Sequence, residues 1–312
     1  MNYANITRSF MKRYTDLNTH LKDIFGTKVI KLSINGGFGC PNRENGPGCL
    51  FCSETGAGDF AGDPSATVSD QMRSQKHLLS KKWKTKAYIA YFGSFSSTYA
   101  DTQKLKKLYD EALAYEGTVG LAIATRPDCL GKEILSLLEY YNKKTFLWVE
   151  LGLQSACLKT HRLLGTGYTP GIFDDAFSSL KERNIRTVPH LIFGLPREDD
   201  AMILKSVAHI ASKKPWGLKI HMLYILKASL LYDLYLNEPF HILTLDEYSD
   251  LVADALELLP ADVVIHRLTG DPPRERAFLP LWSGNKKIVI QTIEKKLHER
   301  NSFQGKYFYD TM

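Results

Sequence analysis

The chain has 312 residues, of which 44% are hydrophobic, so it can bury one substantial core without a second domain. Its net charge of +6 is modest, and no apolar run is long enough to cross a bilayer. The first residues, MNYANITRSFMKRY, lack the apolar stretch and cleavage site of a signal peptide. We therefore expect a cytoplasmic protein without a membrane partner, whose five cysteines serve as ligands or core residues rather than disulfides.

Short apolar runs alternate with helical stretches along the first three quarters of the chain. Each run is rich in β-branched or aromatic residues and is typical of a buried strand. The runs begin at Val29, Ala87, Val119, Phe146, Thr187 and Leu218. The segments between them carry apolar residues at three- and four-residue spacing, as amphipathic helices do. This alternation predicts an α/β fold, an open (partial) parallel β/α barrel of about six β-α units.

A different pattern follows the last predicted unit and indicates a C-terminal strand and helix extension. It comprises a helix-like YSDLVADALELL, a strand-like VVIHRL from Val263, a Gly/Pro-rich loop and a final amphipathic helix from about Lys286. We divide the chain into an N-terminal extension (1–27), the barrel (28–240) and a C-terminal extension (241–312) that covers the barrel mouth.

The strongest chemical signal is a glycine-rich loop, residues 35–62, directly after the first predicted strand. Its cysteines, Cys40, Cys49 and Cys52, have the spacing C-x8-C-x2-C. Thiolates are the ligands of iron–sulfur clusters, and three of them leave one iron of a 4Fe-4S cluster open. A structural zinc site is the main alternative, although it needs a fourth Cys or His and the loop has no His. The second alternative is that the three loop cysteines are unrelated buried thiols. The remaining cysteines, Cys129 and Cys157, are interpreted as small packing residues.

The sequence resembles the radical S-adenosylmethionine superfamily, in a branch with extended cysteine spacing like that of the Elongator catalytic subunit. Besides the cysteine loop, the resemblance rests on FGSFSSTYAD from Phe92, ATRPD from Ala124, ELGLQS from Glu150, FGLPRE from Phe193 and KIHMLYILK from Lys219. It implies a 4Fe-4S cluster held by the three loop cysteines and S-adenosylmethionine on the open iron. A deoxyadenosyl radical would then remove a hydrogen atom from the substrate.

The resemblance also implies which residues contact the cofactor. The expected cofactor contacts are Gly93 and Ser94 (amine), Glu150, Gln154 and Ser155 (ribose and carboxylate), Ile192 and Gly194 (adenine), and Phe51. Polar residues of the later strands are the candidates for the substrate pocket: His190, His221, Tyr224, Lys227 and His266. The alternative for Glu150 is a core carboxylate paired with Arg126, and a lone strand histidine is more often hydrogen-bonded core. Related enzymes often carry Asn-Arg-Gly-His where this chain reads LLGTGYT from Leu163, so the contact supplied there is not carried over.

A narrower resemblance is to small bacterial Elongator-like enzymes of the MnmL kind, typified by HRLTGDxPR (His266 to Arg274 here), CxFCS and GDFAG. It implies tRNA wobble-uridine modification, in which a carboxymethylaminomethyl (2-thio)uridine side chain becomes aminomethyl. The implied partners are tRNA, an electron donor such as flavodoxin or ferredoxin, and a downstream tRNA methyltransferase. The alternatives are a radical enzyme acting on a small metabolite or protein side chain, and a non-catalytic metal-binding protein.

Lysine clusters bear on the choice between these functions. They comprise Lys81, Lys82, Lys84 and Lys86, then Lys104, Lys106 and Lys107, and finally Lys286, Lys287, Lys295 and Lys296. A basic surface suits a tRNA substrate, because contacts to backbone phosphates dominate the affinity for nucleic acids. The alternative is that these lysines are ordinary solvated helix faces.

Overall fold

A computed structural model of the protein describes residues 12–44, 46–53, 56 and 60–308. The strands are β1 (Val29–Ile34), β2 (Ala87–Phe92), β3 (Thr118–Thr125), β4 (Phe146–Gln154), β5 (Arg186–Phe193), β6 (Gly217–Met222), β7 (Ile225–Leu226), β8 (Val264–Arg267) and β9 (Ala277–Leu279). Seven of them form one all-parallel sheet in the order β1-β2-β3-β4-β5-β6-β8. The predicted open parallel β/α barrel is confirmed.

Helices follow the strands and cover the outside of the curled sheet. They are α1 (Leu17–Phe25), α2 (Pro41–Glu44), α3 (Val68–Ser80), α4 (Thr102–Ala114), α5 (Lys132–Lys144), α6 (Leu158–Leu164), α7 (Pro170–Glu182), α8 (Asp200–Ser212), α9 (Leu230–Asn237), α10 (Leu245–Leu258) and α11 (Lys286–Glu299). Side chains at the N-caps fix several helix starts: Thr67, Asp101 and Asp199 each accept a hydrogen bond from a first-turn backbone N–H. None of the described helices is long and apolar enough to cross a membrane.

The C-terminal extension contributes to the barrel more directly than expected. Its strand β8 is the seventh strand of the main sheet and pairs with β6. Helix α10 packs against α8 and α11, so it continues the outer helical layer. The mouth is reached by the loop after β8, where Asp271 lines the central cavity. Strand β8 is the last strand of the sheet. Its Ile265 donates a backbone hydrogen bond to the Thr15 carbonyl at 2.7 Å, so the N-terminal segment packs along β8.

The barrel interior is closed at the N-terminal ends of the strands by an apolar floor. Ile89, Ala122, Trp148 and Val188 are fully buried there and pack together. The indole of Trp148 stacks obliquely on Trp216, with ring centroids 5.7 Å apart. Because the floor seals one end, the interior is accessible from the C-terminal ends of the strands, where barrel active sites are built.

Candidate active site

Polar side chains form a layer inside the barrel, directly above the apolar floor. Successive side chains of a strand point to opposite faces of a sheet. On β4, Trp148 therefore joins the floor, Glu150 and Gly152 line the cavity above it, and Val149 and Leu151 pack outwards. The neighbouring strands place their own polar residues at the same height, so the layer is assembled from distant parts of the chain.

The Glu150 carboxylate is fully buried and lies at the centre of the polar layer. Its Oε2 atom accepts hydrogen bonds from Lys219 Nζ at 2.7 Å and from the Tyr91 hydroxyl at 2.9 Å. His190 Nε2 lies 3.1 Å from the same oxygen, and Lys31 Nζ lies 3.5 Å from Oε1. A buried charge needs such partners, because it has lost its hydration.

Burial and neighbouring charges set the protonation states of this layer. Burial alone would raise the pKa of Glu150, but Lys219 and Lys31 outweigh it and hold that pKa well below its usual value. Burial, assisted by Arg267, lowers the pKa of Lys219 to about 7. It also lowers the pKa of His190 to about 4, so this imidazole is neutral at pH 7. The layer thus combines an ionised carboxylate with a lysine that exchanges its proton near neutrality.

Above the polar layer lies a cavity of about 390 Å³ that is bordered by all three loop cysteines, Cys40, Cys49 and Cys52. The loop turns tightly there, because the Cys52 backbone N–H donates to the Cys49 carbonyl at 3.0 Å. Asn42 donates a side-chain hydrogen bond to Cys49 Sγ at 3.2 Å, and Arg126 Nη1 lies 3.9 Å from the same sulfur. Cysteine sulfurs with hydrogen-bond donors beside them fit an iron–sulfur cluster.

Cysteine protonation and spacing constrain how a metal group would bind. Burial raises the pKa of the Cys49 thiol to about 11, so cluster binding must displace a proton from this ligand. In the described part of the chain, no three His, Cys, Asp or Glu side chains form a group that could hold a single metal ion. A 4Fe-4S cube takes each thiolate on a different iron, so its ligands border a volume rather than converge on one point.

The expected cofactor contacts divide into those that reach the cavity and those that do not. Phe51, Gly93, Glu150 and Gln154 line it. A Cβ atom at Gly93 would lie 2.4 Å from the Tyr91 ring, so glycine lets Tyr91 reach Glu150.

Gln154 follows an irregularity in the β4–β5 register and has a φ of 70°. Such a conformation is uncommon for a residue other than glycine and is often found at functional sites. The side chain lies against Gly152, where an added Cβ would be 2.7 Å from Gln154 Nε2. The register irregularity therefore turns the amide of Gln154 into the cavity.

Ser94, Ser155, Ile192 and Gly194 take other positions. Ser94 is buried beside the cavity wall, and the Ser155 hydroxyl is bonded to Glu198. Ile192 packs in an apolar cluster, and a Cβ at Gly194 would lie 3.1 Å from Leu243. None of these four residues lines the cavity, so their contacts to the cofactor stay predictions.

The substrate-pocket candidates are also divided. His190, His221 and Tyr224 line the cavity. Lys227 is exposed in the turn after β7, away from the cavity. The His266 side chain is fully buried at the floor, edge-on to Trp148 and Trp216 with ring centroids 5.4 and 5.1 Å away. Lys227 and His266 were predicted to line the substrate pocket, but neither of them borders this cavity.

The alternative pairing of Glu150 with Arg126 is wrong. Arg126 Nη2 lies 2.6 Å from an oxygen of Asp128, and its guanidinium lies over the Tyr168 ring at 4.9 Å. Glu150 is nevertheless a core carboxylate, with Lys219 and Lys31 as its charged partners.

Several residues that shape the cavity were not among the predicted site residues, namely Lys31, Tyr91, Tyr168, Lys219 and Arg267. The two lysines interrupt the apolar runs VIKLSI and LKIHML at positions that face the barrel interior. A charged residue within a buried strand was therefore a usable signal. Tyr168 belongs to the LLGTGYT segment, which thus supplies an aromatic wall to the cavity.

Family models agree with this architecture. The model of the radical SAM superfamily matches residues 34–210, from the end of β1 through the cysteine loop to α8. The radical SAM C-terminal domain model matches residues 215–299. The chain belongs to the radical SAM superfamily. Members of this superfamily are enzymes that use a 4Fe-4S cluster and S-adenosylmethionine, and the three cavity cysteines suit the first of these cofactors.

The chain is also similar to individual proteins and to solved structures. It is 40% identical to the uncharacterized protein YtqA of Bacillus subtilis, over 95% of this chain and 93% of that protein. It is 26% identical to Elongator complex protein 3 of Schizosaccharomyces pombe, over 54% of this chain and 31% of that protein. The structure of the archaeal Elp3 of Methanocaldococcus infernus has the same fold, with a TM-score of 0.67, 17% identity and coverage of 88% of this chain and 64% of that one.

Proposed function

We propose that the enzyme modifies the wobble uridine of tRNA, converting a carboxymethylaminomethyl side chain to aminomethyl. The sequence resemblance to Elongator-like enzymes suggests this class of substrate. The observation that carries the proposal is the surface at the cavity mouth. A recess of about 550 Å³ is lined by Phe60, Arg274 and Lys286 and shares Phe60 and Asp271 with the cavity.

The chemistry of this mouth suits single-stranded RNA. The Phe60 side chain is exposed at the rim and offers an aromatic face on which an unpaired base could stack. Arg274 supplies a positive charge nearby for a backbone phosphate. A base splayed out of the anticodon loop could then reach the cavity through this mouth.

The proposed reaction is an oxidation followed by a hydrolysis. When bound, the cluster and S-adenosylmethionine supply a deoxyadenosyl radical that accepts a hydrogen atom. The carboxymethyl carbon would lose that hydrogen atom. The substrate would then give one electron to an external acceptor of the ferredoxin type and one proton from the nitrogen, which leaves a C=N bond. Water adds to this bond and the C–N bond breaks, releasing glyoxylate and aminomethyluridine.

Residues of the polar layer are suited to the proton transfers. A general acid or base works best when its pKa is close to the ambient pH. The pKa of Lys219 is lowered to about 7, so this side chain can hold or release a proton during hydrolysis. His190 is neutral at pH 7, because burial lowers its pKa to about 4, and can accept a hydrogen bond from water or substrate.

Mass spectrometry of tRNA nucleosides from cells with and without the gene tests this function. The deletion strain should accumulate carboxymethylaminomethyl nucleosides and lose those derived from the aminomethyl form. Re-expression of the wild-type gene should reverse both changes, whereas a Cys49→Ala gene should not. Identical nucleosides in the two strains would contradict the proposal.

One observation favours a small metabolite as the alternative substrate. Among the C-terminal lysines, Lys286 pairs with Asp271, Lys295 with Glu299, and Lys296 with Asp246 at 2.6 Å. These pairs neutralise much of the surface that was expected to bind tRNA phosphates. Contacts to RNA would therefore rest on Phe60 and Arg274 of the mouth recess rather than on the lysines of helix α11.

A further inference from the structure

The inner end of the cavity carries more positive than negative charge. Lys31, Lys219 and Arg267 line it, and Glu150 is the carboxylate that faces them. Asp271 also borders the cavity, but it pairs with Lys286 near the mouth. An arginine side chain remains protonated at any physiological pH. At least one positive charge in this polar layer is thus left without an anionic partner.

Arg267 is the cation in question, and its position is fixed. It ends β8 and pairs in register with Lys219 of β6. Its Nη1 atom lies 3.4 Å from Nε2 of His221, which also lines the cavity. Burial and the charge of Arg267 hold the pKa of His221 well below its usual value, so the neutral imidazole accepts this contact. Within residues 12–44, 46–53, 56 and 60–308, no carboxylate forms an ion pair with Arg267.

We propose that Arg267, together with His221 and Lys219, forms a subsite that binds the carboxylate of the substrate side chain. This subsite rests on the proposed function, and its residues would bind the carboxylate that the proposed reaction removes from the uridine side chain. A planar guanidinium offers two parallel N–H groups that match the two oxygens of a carboxylate. The negative charge of a carboxylate there would offset at least part of the positive charge that the cavity carries.

The subsite also accounts for discrimination between substrate and product. In the proposed reaction the carboxylate leaves with glyoxylate, and the product keeps a positively charged aminomethyl group. The cations that attract the substrate therefore repel the product. Release of the product follows from the same charges that bind the substrate.

The experiment compares two anticodon stem-loop RNAs, one with carboxymethylaminomethyluridine and one with the carboxylate replaced by its primary amide. Reconstituted enzyme should convert the acid with a kcat/KM about tenfold to a hundredfold above that of the amide, as expected for a charge-assisted hydrogen bond. The Arg267→Gln variant should bring this ratio close to one, mainly by raising KM for the acid. Arg267→Lys should restore part of the ratio. Arg197→Gln is the matched control, because Arg197 is exposed and bonded to Glu238, and it should keep the wild-type ratio.

Each outcome separates the subsite from the function on which it rests. If wild-type enzyme converts both RNAs equally well, or if both Arg267 variants keep the wild-type ratio, the subsite is wrong while the function stands. If wild-type enzyme converts neither RNA, the proposed function fails and the subsite fails with it. If Arg267→Gln does not fold, equal conversion of the two RNAs by the wild type still refutes the subsite, and Arg267→Lys tests the contribution of Arg267.

Discussion

Replacing Glu150 by glutamine tests whether the ionic layer inside the barrel is held together by one carboxylate. Glutamine has nearly the same shape, so the substitution removes charge without opening a cavity. Lys219 Nζ lies 2.7 Å from the carboxylate and Lys31 Nζ lies 3.5 Å from it. Both lysines are mostly buried, with 7% and 28% of their side chains exposed. Glu150→Gln therefore removes the counter-ion of Lys31 and, below the Lys219 pKa of about 7, that of a second buried ammonium group.

The expected cost is large because the pair is buried. Removing one partner of a buried ion pair typically costs about 3–5 kcal/mol in the free energy of unfolding. The matched control is Glu238→Gln, which breaks a pair with Arg197 whose side chains are 60% and 63% exposed. That control should cost less than about 1 kcal/mol. A double variant, Glu150→Met with Lys219→Met, should recover much of the loss, because apolar replacement of a whole buried pair is often neutral.

The dependence on pH gives a second test of the same reasoning. At pH 6 Lys219 is mainly protonated in the wild type, since its pKa is lowered only to about 7. Loss of Glu150 then leaves the positive charge of Lys219 buried without a counter-ion. At pH 9 Lys219 has already released its proton, so the same substitution should cost less. Urea denaturation followed by tryptophan fluorescence measures both values, and a cost below about 1 kcal/mol at pH 6 would refute the assignment of Glu150 as the charge centre.

Three further predictions concern the cofactors and the RNA. Alanine at any of the three cavity cysteines should abolish the iron content and visible absorbance of the cluster, whereas Cys129→Ala should keep both. A full cluster in one of the three cavity-cysteine variants would show that the cysteine replaced there is not a ligand. Gln154→Gly removes the side-chain amide, and glycine tolerates the φ of 70° at this position without strain. The variant should weaken S-adenosylmethionine binding roughly tenfold in equilibrium dialysis. An unchanged affinity would exclude a contact between Gln154 and the cofactor. Arg274→Gln should lower the slope of log affinity for tRNA against log salt by about 1, and Phe60→Ala should weaken binding without changing that slope; salt-independent binding would contradict the mouth surface.

The strands were largely predictable from the sequence, because strands of a buried parallel sheet read as continuous apolar runs. The runs from Val29, Ala87 and Phe146 begin where β1, β2 and β4 begin. The strand-like VVIHRL was also found, but its place beside β6 in the main sheet was not. Which strands pair depends on the three-dimensional path of the chain between them. The local composition of a strand does not indicate its neighbours in the sheet.

The site was predictable only in part, for a related reason. The three cysteines lie within one loop, so their spacing alone indicated a common site. Glu150 and its partners come from different strands, and its pairing with Lys31 spans more than a hundred residues. The motif ELGLQS drew attention to Glu150 as a cofactor contact. Its ion pairs could be recognised only once β1, β4 and β6 were seen to face the same interior.

The ionic layer is better explained by function than by stability. The interior of a closed β/α barrel is usually filled by layers of apolar side chains, as the floor around Trp148 is here. Burying Glu150 between two lysines adds little to the free energy of unfolding compared with apolar residues of the same volume. The reason is that the cost of removing the charged groups from water offsets their Coulomb attraction. The layer does supply a lysine whose pKa is about 7 and a cationic wall that faces the cysteines across one cavity. Chemistry at this wall, rather than the fold, is therefore the reason to expect a charged interior in a barrel of this kind.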